Sequence, residues 1–291
     1  MDINTWFKEF YESIYMSTDI VSKVRLRYKS ITKRINEEYW NSSSETNHSL
    51  YVGSYGRGTA IYASDIDIVI ELPWTVKTRF DGRHGNIQSQ LLSEVKDKLK
   101  KTYSTSKISS DGQVIVIDFS DGIKFEIVPA FKFDDNSYYY PNTNNGGSWK
   151  TMNPRLELEY FNARNKTHNL TMKKLCRMLR CWKETHNMDI PGELLDSIVY
   201  NFYLDANYVD KNPFLYFDFI TRDLFEYLYK NAHGIWLTPG TYRMLNLKYP
   251  YLTQNKALEM YNKSIKAIQL CNDEYKYSAK DKWKEIYGEK F

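Results

Sequence analysis

The chain of 291 residues has little of what marks a disulfide-stabilised, membrane or secreted protein. Its three cysteines, Cys176, Cys181 and Cys271, form no Cys-x-x-Cys pair, which is typical of reduced thiols in a cytosolic chain. No run of about 18 apolar residues is present, so the sequence predicts no membrane-spanning helix. The N-terminus, MDINTWFKEF, lacks the apolar segment of a secretory signal. We therefore expect a cytoplasmic protein.

The excess of positive over negative charge is also small. The chain has 40 Lys and Arg against 36 Asp and Glu, a formal net charge of +4. This excess is too small to predict extended nucleic-acid binding, although it leaves room for a local anionic ligand. The five histidines are scattered and accompany no motif, so we assign them no catalytic role. With 42% hydrophobic and 26% charged residues, the composition is that of a globular protein of one large domain or two packed lobes.

Hydrophobic periodicity predicts an α+β chain. Apolar residues recur at helical spacing over residues 4–39, which predicts one unusually long helix, and the polar stretch 40–47 ends it. A second helix is predicted over 86–102. Strands are predicted at SLYVGS, SDIDIVIELP, GQVIVIDF and IKFEIVPAF, the last two joined by a hairpin turn at Asp121-Gly122.

The remainder of the chain reads differently. Residues 132–153 are rich in Asp, Asn, Tyr and Gly and are predicted to form a loop, and from Pro154 onward the pattern is helical. We therefore expect two lobes with a cleft between them. Residues 1–154 would form the first lobe, and residues 155–291 an all-helical second lobe.

One strand carries paired acids. In the predicted strand that contains Asp65 and Asp67, residues two apart point to the same face, so the two carboxylates project side by side while the intervening isoleucines enter the core. Like charges at that distance raise one another's pKa unless a cation neutralises them. Glu126 supplies a third carboxylate from a later strand. Oxygen ligands alone suit Mg²⁺ or Mn²⁺, and no His or Cys lies nearby for zinc.

A glycine-rich turn precedes these acids. Gly53 would let backbone amides approach a phosphate, and the Ser54 hydroxyl could donate one more hydrogen bond to it. No Gly-Lys-Ser/Thr follows, so the turn is not a Walker A loop. Taken singly, a Gly-Ser pair is usually a plain turn, and acids on a strand usually mark a solvated edge. Two metal ions held by the three acids, beside a turn that binds phosphate, would meet the requirement of in-line phosphoryl or nucleotidyl transfer.

The stretch GSYGRGTAIYASDIDIVIELP, with FEIVPAF downstream, resembles the polymerase-beta-type nucleotidyltransferase signature. More narrowly, the Gly-Ser-x-x-Arg-Gly-Thr form, LCRMLRCWK and the terminal WKEIYGEKF resemble the bacterial CD-NTases. These relatives of cyclic GMP-AMP synthase and oligoadenylate synthetase make cyclic oligonucleotide signals in anti-phage (CBASS) systems. The resemblance covers nearly the whole chain and implies a polymerase-beta-type core, a helical C-terminal lobe and a long N-terminal spine helix that bridges them.

The resemblance also implies roles for individual residues. Asp65 and Asp67 would bind two Mg²⁺ or Mn²⁺ ions, and Glu126 would complete the site, although this family usually has Asp there. Gly53 and Ser54 would hold the donor triphosphate.

A basic residue on the first helix of the second lobe would bind phosphate in the same family, and Lys174 or Arg180 could serve here. Relatives often open the following helix with a Ser that contacts phosphate, but Pro191-Gly192-Glu193 occupies that place in this chain.

The function expected from the resemblance is a synthase that joins NTPs into a cyclic di- or trinucleotide messenger for anti-phage defence. The alternatives are nucleotidyl transfer to an RNA 3′ end, a small molecule or a protein hydroxyl, and a nucleotide-binding regulator with a weak site. We expect NTP substrates and a monomer without membrane association. A downstream receptor for the cyclic nucleotide is implied by the resemblance alone.

Overall fold

The structure, a computed structural model, describes residues 2–62, 65–206 and 214–291. Ser64, with which the predicted acidic strand begins, lies outside the described residues. The helices are α1 (Ile3–Ser13), α2 (Thr18–Tyr39), α3 (Gly53–Arg57), α4 (Trp74–Asp81), α5 (Ile87–Lys100), α6 (Pro154–Thr167), α7 (Thr171–Thr185), α8 (Gly192–Asp205), α9 (Phe217–Asn231), α10 (Pro250–Asn272) and α11 (Lys276–Tyr287). The strands are β1 (Ser49–Tyr51), β2 (Asp65–Glu71), β3 (Lys107–Asp111), β4 (Val114–Asp118), β5 (Lys124–Lys132), β6 (Tyr138–Asn142), β7 (Ser148–Met152), β8 (Trp236–Leu237) and β9 (Met244–Leu245).

The chain divides into two compact units. One comprises residues 16–156 and contains the sheet, and the other comprises residues 1–15 together with 157–291 and is mainly helical. The first fifteen residues thus group with the helical unit, whereas the sequence analysis placed them in the first lobe. Among the described residues, no helix is long and apolar enough to cross a membrane.

The single helix predicted over residues 4–39 is wrong. α1 ends at Ser13, and α2 begins after Ser17, whose hydroxyl accepts a hydrogen bond from the Ile20 amide at 3.4 Å. Ser and Asp near a helix start are typical capping residues, and Ser17-Thr18-Asp19 supplies them here. The apolar periodicity runs across the break because both helices are amphipathic, although α1 belongs to the helical unit and α2 to the other.

The sheet of residues 16–156 is mixed, with the strand order β1-β2-β5-β4-β3. β2 runs parallel to β5, whereas the β1–β2, β4–β5 and β3–β4 pairs are antiparallel. The predicted hairpin between β4 and β5 is confirmed, and Gly122 in its turn has φ +83°, a conformation that glycine adopts without strain. The sheet therefore places β2 beside β5, the two strands that carry the predicted acids.

One face of the sheet packs against α2 and α5. Ile66, Ile68 and Ile70 of β2 are fully buried in this core, as predicted, together with Phe125 and Ile127 of β5. Burial of each such side chain contributes roughly 1.5–3 kcal/mol, which fixes the register of both strands. The alternate residues, among them the acids, are consequently directed away from this core.

The loop predicted over residues 132–153 is wrong, because β6 and β7 form an antiparallel hairpin there. Its turn contains residues suited to positive φ, namely Asn145 at +55° and Gly146 at +87°. The hairpin is held to the end of β2 by the Tyr138 hydroxyl, which donates to the buried Glu71 carboxylate at 2.6 Å. Arg155 donates to the same carboxylate at 3.2 Å and to the Tyr138 oxygen at 2.9 Å.

The prediction that the second lobe is all helical is wrong, because β8 and β9 form a short antiparallel pair there. Gly240 at φ +68° allows the chain to reverse between them. The rest of this unit is an aromatic-rich helical core. In it, the Phe7 ring of α1 lies 5.1 Å from Trp283 and 5.0 Å from Phe291, measured between ring centroids.

We expect Tyr138→Phe to lower the free energy of unfolding by about 1–3 kcal/mol, because the buried Glu71 carboxylate would lose its nearest donor. Equilibrium denaturation of the full chain measures this loss. Tyr139→Phe is the matched control, since the Tyr139 ring stacks on Trp149 at 5.2 Å and phenylalanine keeps that contact. Equal stabilities of the Tyr138 variant and the unmodified protein would contradict this role of the hydrogen bond.

Candidate active site

The parallel pairing of β2 with β5 brings the predicted acids together. In the register of these strands, Asp67 lies opposite Glu126, and Asp65 lies opposite Lys124. Side chains of paired residues point to the same face of a sheet, about 4.8 Å apart along the hydrogen-bonding direction. The three predicted carboxylates therefore occupy one face of two neighbouring strands.

Asp67 is the most perturbed of these groups. Burial raises the pKa of its carboxyl to about 6, and the negative charges of Glu126 and, less strongly, Asp65 act in the same direction. The positive charges of Arg57 and Lys124 oppose this rise in the pKa. The ionised form of Asp67 is thus less favourable here than in water. A cation bound beside it would therefore stabilise this carboxylate strongly.

Lys124 was missed by the sequence analysis. Its Nζ lies 2.8 Å from Oδ1 of Asp65 and 2.8 Å from Oε1 of Glu126, so one ammonium bridges carboxylates of two strands. Hydrogen bonds to Asp65 and then to Glu126 raise the pKa of Lys124, which keeps it charged. The spacing Lys124-x-Glu126 indicates that both side chains share one face of a strand. It does not show that Asp65 lies beside them, because that depends on the pairing of β5 with β2.

The predicted glycine-rich turn forms the short helix α3 (Gly53–Arg57), whose first residue packs directly against Asp67. Gly53 has φ +60°, and a Cβ at this position would overlap the Asp67 carboxylate. The Val52 amide donates to the Asp67 carbonyl at 2.9 Å, which ties the start of the turn to β2. Glycine is therefore required here both by conformation and by space.

The rest of the turn is short and internally bonded. The carbonyl of Ser54 accepts hydrogen bonds from the amides of Thr59 at 2.9 Å and Ala60 at 3.2 Å. At Gly56, a Cβ would lie 2.5 Å from the Tyr51 carbonyl oxygen, so a second glycine is also needed by close packing. The predicted phosphate-binding residues Gly53 and Ser54 thus lie next to the carboxylates, in a turn of defined shape.

Lys174 lies on α7 of the helical unit. Its Nζ donates to the Leu170 carbonyl at 3.0 Å and lies 5.8 Å and 5.6 Å from the ring centroids of Tyr11 and Phe214. Burial, and then the positive charge of Arg177, lower the pKa of Lys174. Its predicted contact with phosphate stays a prediction.

Arg180, on the same helix, has a buried anionic partner. Its Nη2 donates to Asp196 Oδ2 at 2.8 Å and to the Gly192 carbonyl at 3.1 Å, and the Asp196 side chain is only 2% exposed. A Cβ at residue 192 would lie 2.6 Å from Nη1 of Arg180, so the guanidinium packs closely against the start of α8. The guanidinium therefore compensates a buried carboxylate, and its predicted role towards phosphate also stays a prediction.

The donors of the carboxylate cluster fit a hard divalent cation. They are oxygens from Asp65, Asp67 and Glu126, and two of them already share a cationic group in Lys124. Within the described residues, no three His, Cys, Asp or Glu side chains are gathered closely enough to hold a metal ion. The carboxylates would therefore have to close around the ion, and the Lys124 ammonium lies between two of them.

Comparison with known sequences assigns the family. Residues 1–165, more than half of the chain, match the Second Messenger Oligonucleotide or Dinucleotide Synthetase (SMODS) domain. The chain therefore belongs to the SMODS family, and the predicted membership of a nucleotidyltransferase family of cyclic nucleotide synthases is confirmed. A probable cyclic nucleotide synthase of Bacillus cereus (strain VD146) is 25% identical over an alignment of 177 positions, and the match covers 57% of this chain and 51% of that protein. The match thus spans about half the length of that curated relative.

Solved structures share the fold over nearly the whole chain. The CD-NTase CdnG of Bradyrhizobium diazoefficiens, solved with GTP, has a TM-score of 0.71 at 11% identity, and the match covers 99% of this chain and 96% of CdnG. CdnC of E. coli MS115-1, in complex with HORMA-deltaN, gives 0.69 at 12% identity over 99% and 98% of the two chains. DncV cyclic AMP-GMP synthase of Vibrio cholerae gives 0.65 at 13% identity over 99% and 86%. The polymerase-beta-type α+β fold predicted from the sequence is confirmed.

The perturbed carboxyl of Asp67 predicts a pH-dependent stability in metal-free buffer. Since its pKa in the folded chain is about 6, against 3.8 for the free side chain, the folded state binds the proton more tightly, and the free energy of unfolding falls as the pH rises from 4 to 6. Asp67→Asn removes this penalty. We expect the variant to be more stable by roughly 1–3 kcal/mol above pH 6, and by less at pH 4.

Denaturant unfolding in EDTA at pH 4 and pH 8 measures the difference. Asp65→Asn is the matched control, because the Asp65 side chain is 55% exposed and ion-paired with Lys124, so its amide gives no such gain. A gain for Asp67→Asn that is the same at both pH values would contradict the assignment.

Proposed function

We propose that this protein is a metal-dependent synthase that joins NTPs into a cyclic di- or trinucleotide, with release of pyrophosphate at each bond. The observation that carries the proposal is the juxtaposition of three carboxylates with a glycine turn, in which a Cβ at Gly53 would overlap the Asp67 carboxylate. The family assignment supports the same reaction class. Nucleotidyl transfer requires little covalent chemistry from the protein, so placement and charge account for most of the catalysis.

In the proposed reaction, the residues of the chain have distinct tasks. Asp65, Asp67 and Glu126 would hold Mg²⁺ or Mn²⁺, two ions per site, through carboxylate oxygens. Such ions, when bound, lower the pKa of an attacking 3′-hydroxyl and neutralise charge on the leaving oxygen. Gly53 and Ser54 would position the donor triphosphate through backbone amides and a hydroxyl.

Glu126 stands where this family usually has Asp. Its side chain is one methylene longer, and its exposed fraction is 29%. The register with Asp67 keeps the longer side chain at the cluster, so we propose that Glu126 acts as the third metal ligand.

Two basic residues of α7 remain proposed phosphate ligands. Lys174 is the better candidate, because in the described part of the chain its ammonium contacts a carbonyl and two aromatic rings and forms no ion pair with a carboxylate. Arg180 would have to bind phosphate while it also forms an ion pair with the buried Asp196.

A role in anti-phage signalling is the biological setting that we propose. It is supported by the resemblance to the bacterial CD-NTases and by the family, which is one of second-messenger oligonucleotide synthesis. The cyclic product would then act on a separate receptor.

The direct test is incubation of the full chain with all four NTPs and Mg²⁺ or Mn²⁺, followed by phosphatase treatment and mass spectrometry. We expect a phosphatase-resistant cyclic di- or trinucleotide and pyrophosphate. Asp65→Asn and Asp67→Asn should each reduce product formation by on the order of a thousandfold or more, since each removes a charge on which the reaction depends.

Other outcomes of this assay distinguish the alternatives. Linear products alone, or transfer of label only when RNA, a small-molecule acceptor or a protein is added, would identify a nucleotidyltransferase with another acceptor. Binding of NTPs without any metal-dependent release of pyrophosphate would identify a nucleotide-binding regulator. Either result would overturn the synthase proposal.

The shape of the glycine turn gives a second test of the site. Gly53→Ala would force its Cβ into the Asp67 carboxylate, and we expect kcat to fall by on the order of a hundredfold or more, because small displacements of reacting groups have effects of that size. Gly146→Ala is the control. It carries a similar backbone strain at φ +87°, but its Cβ would meet no atom within 4 Å. If Gly146→Ala lowered kcat as much as Gly53→Ala does, backbone strain and not contact with Asp67 would explain the loss.

A further inference from the structure

Lys124 has no task in the proposed function, yet it is the group in closest contact with two of the proposed metal ligands. Its ammonium is 2.8 Å from an oxygen of Asp65 and 2.8 Å from an oxygen of Glu126. Lysine is a compact point charge with three donors, so it can satisfy two carboxylates at once. It thereby occupies the position of a shared cation.

The backbone of Lys124 cannot move away from the cluster. Residue 124 is paired with Asp65 in the β2–β5 ladder and with Asp118 in the β4–β5 ladder, so its Cα is fixed on both sides. Its side chain, by contrast, is 32% exposed and has a flexible four-carbon stem. The ammonium can therefore leave the carboxylates only by rotation of the side chain towards solvent.

The charges explain why such a group is present. Asp65, Asp67 and Glu126 bring three negative charges to one sheet face, and Lys124 contributes one positive charge in direct contact with two of them. Without a cation, the carboxylates would repel one another across the paired strands. Lys124 compensates part of this repulsion in the metal-free protein.

We propose that Lys124 is a built-in counter-ion that competes with the divalent cation for Asp65 and Glu126. This inference rests on the proposed function in so far as it takes these carboxylates to be metal ligands. The ammonium stabilises the cluster while no metal is bound, and it must rotate away when metal enters. Because metal binding must displace the ammonium, a higher metal concentration is needed to fill the site than the carboxylates alone would require.

The test is the affinity of the full chain for Mn²⁺, measured without nucleotide from the electron paramagnetic resonance signal of the free ion. We expect Lys124→Gln to bind Mn²⁺ roughly five- to tenfold more tightly, the effect of removing one competing charge at a partly exposed site. Lys124→Arg keeps the charge and should stay within about twofold of the unmodified protein by the same reasoning. Lys132→Gln, at the other end of β5, removes a lysine charge from the same strand and should also leave the affinity unchanged.

The direction of the change excludes a merely structural effect, because a damaged fold would weaken Mn²⁺ binding. The increase in Tm between EDTA and Mn²⁺ is a second readout, and it should be larger in Lys124→Gln than in the unmodified protein. Equal or weaker Mn²⁺ binding by Lys124→Gln would overturn the inference, while product formation by the unmodified protein would leave the proposed function standing. If no variant bound Mn²⁺, the inference would also fall, and product formation from NTPs would decide the proposed function separately.

Discussion

The parallel pairing of β2 with β5 is the constraint on which the site depends. Apolar residues of both strands are buried against α2 and α5, which fixes the register, and the same register sets Asp67 opposite Glu126. Burial of the isoleucines thus places like charges together, an arrangement that opposes folding on its own. The core supplies the free energy that keeps the acidic face in place. The pKa of Asp67 is raised by burial and then by the negative charge of Glu126.

Much of this arrangement could be predicted from the sequence because it is encoded locally. Alternation along β2 separates the buried isoleucines from Asp65 and Asp67, and the Asp121-Gly122 step identifies the turn that leads into β5. The glycine turn was recognisable by composition, but the reason for Gly53 was not. Its contact with the Asp67 carboxylate joins residues from two elements, and only the packed structure reveals it.

Features that depend on tertiary contacts were not predictable in the same way. The β6–β7 hairpin has a loop-like composition, and it is held in place by Tyr138 and the distant Glu71. Periodicity alone could not show that α1 and α2 belong to different units, although Ser17 and Asp19 were available as capping signals. Lys124 carries no signal of its role in the local sequence, because its partner Asp65 belongs to a strand far away along the chain.

In the structure, the Lys124 ammonium contacts two of the carboxylates that we propose as metal ligands. One measurement tests this account most directly, namely a crystal structure of the protein with Mn²⁺ and a non-hydrolysable NTP, with the ion located by its anomalous scattering. The account predicts anomalous density contacted by Asp65, Asp67 and Glu126, the triphosphate against Gly53 and Ser54, and the Lys124 ammonium rotated away from the carboxylates. Lys124 still bridging Asp65 and Glu126, with the anomalous density elsewhere, would contradict it.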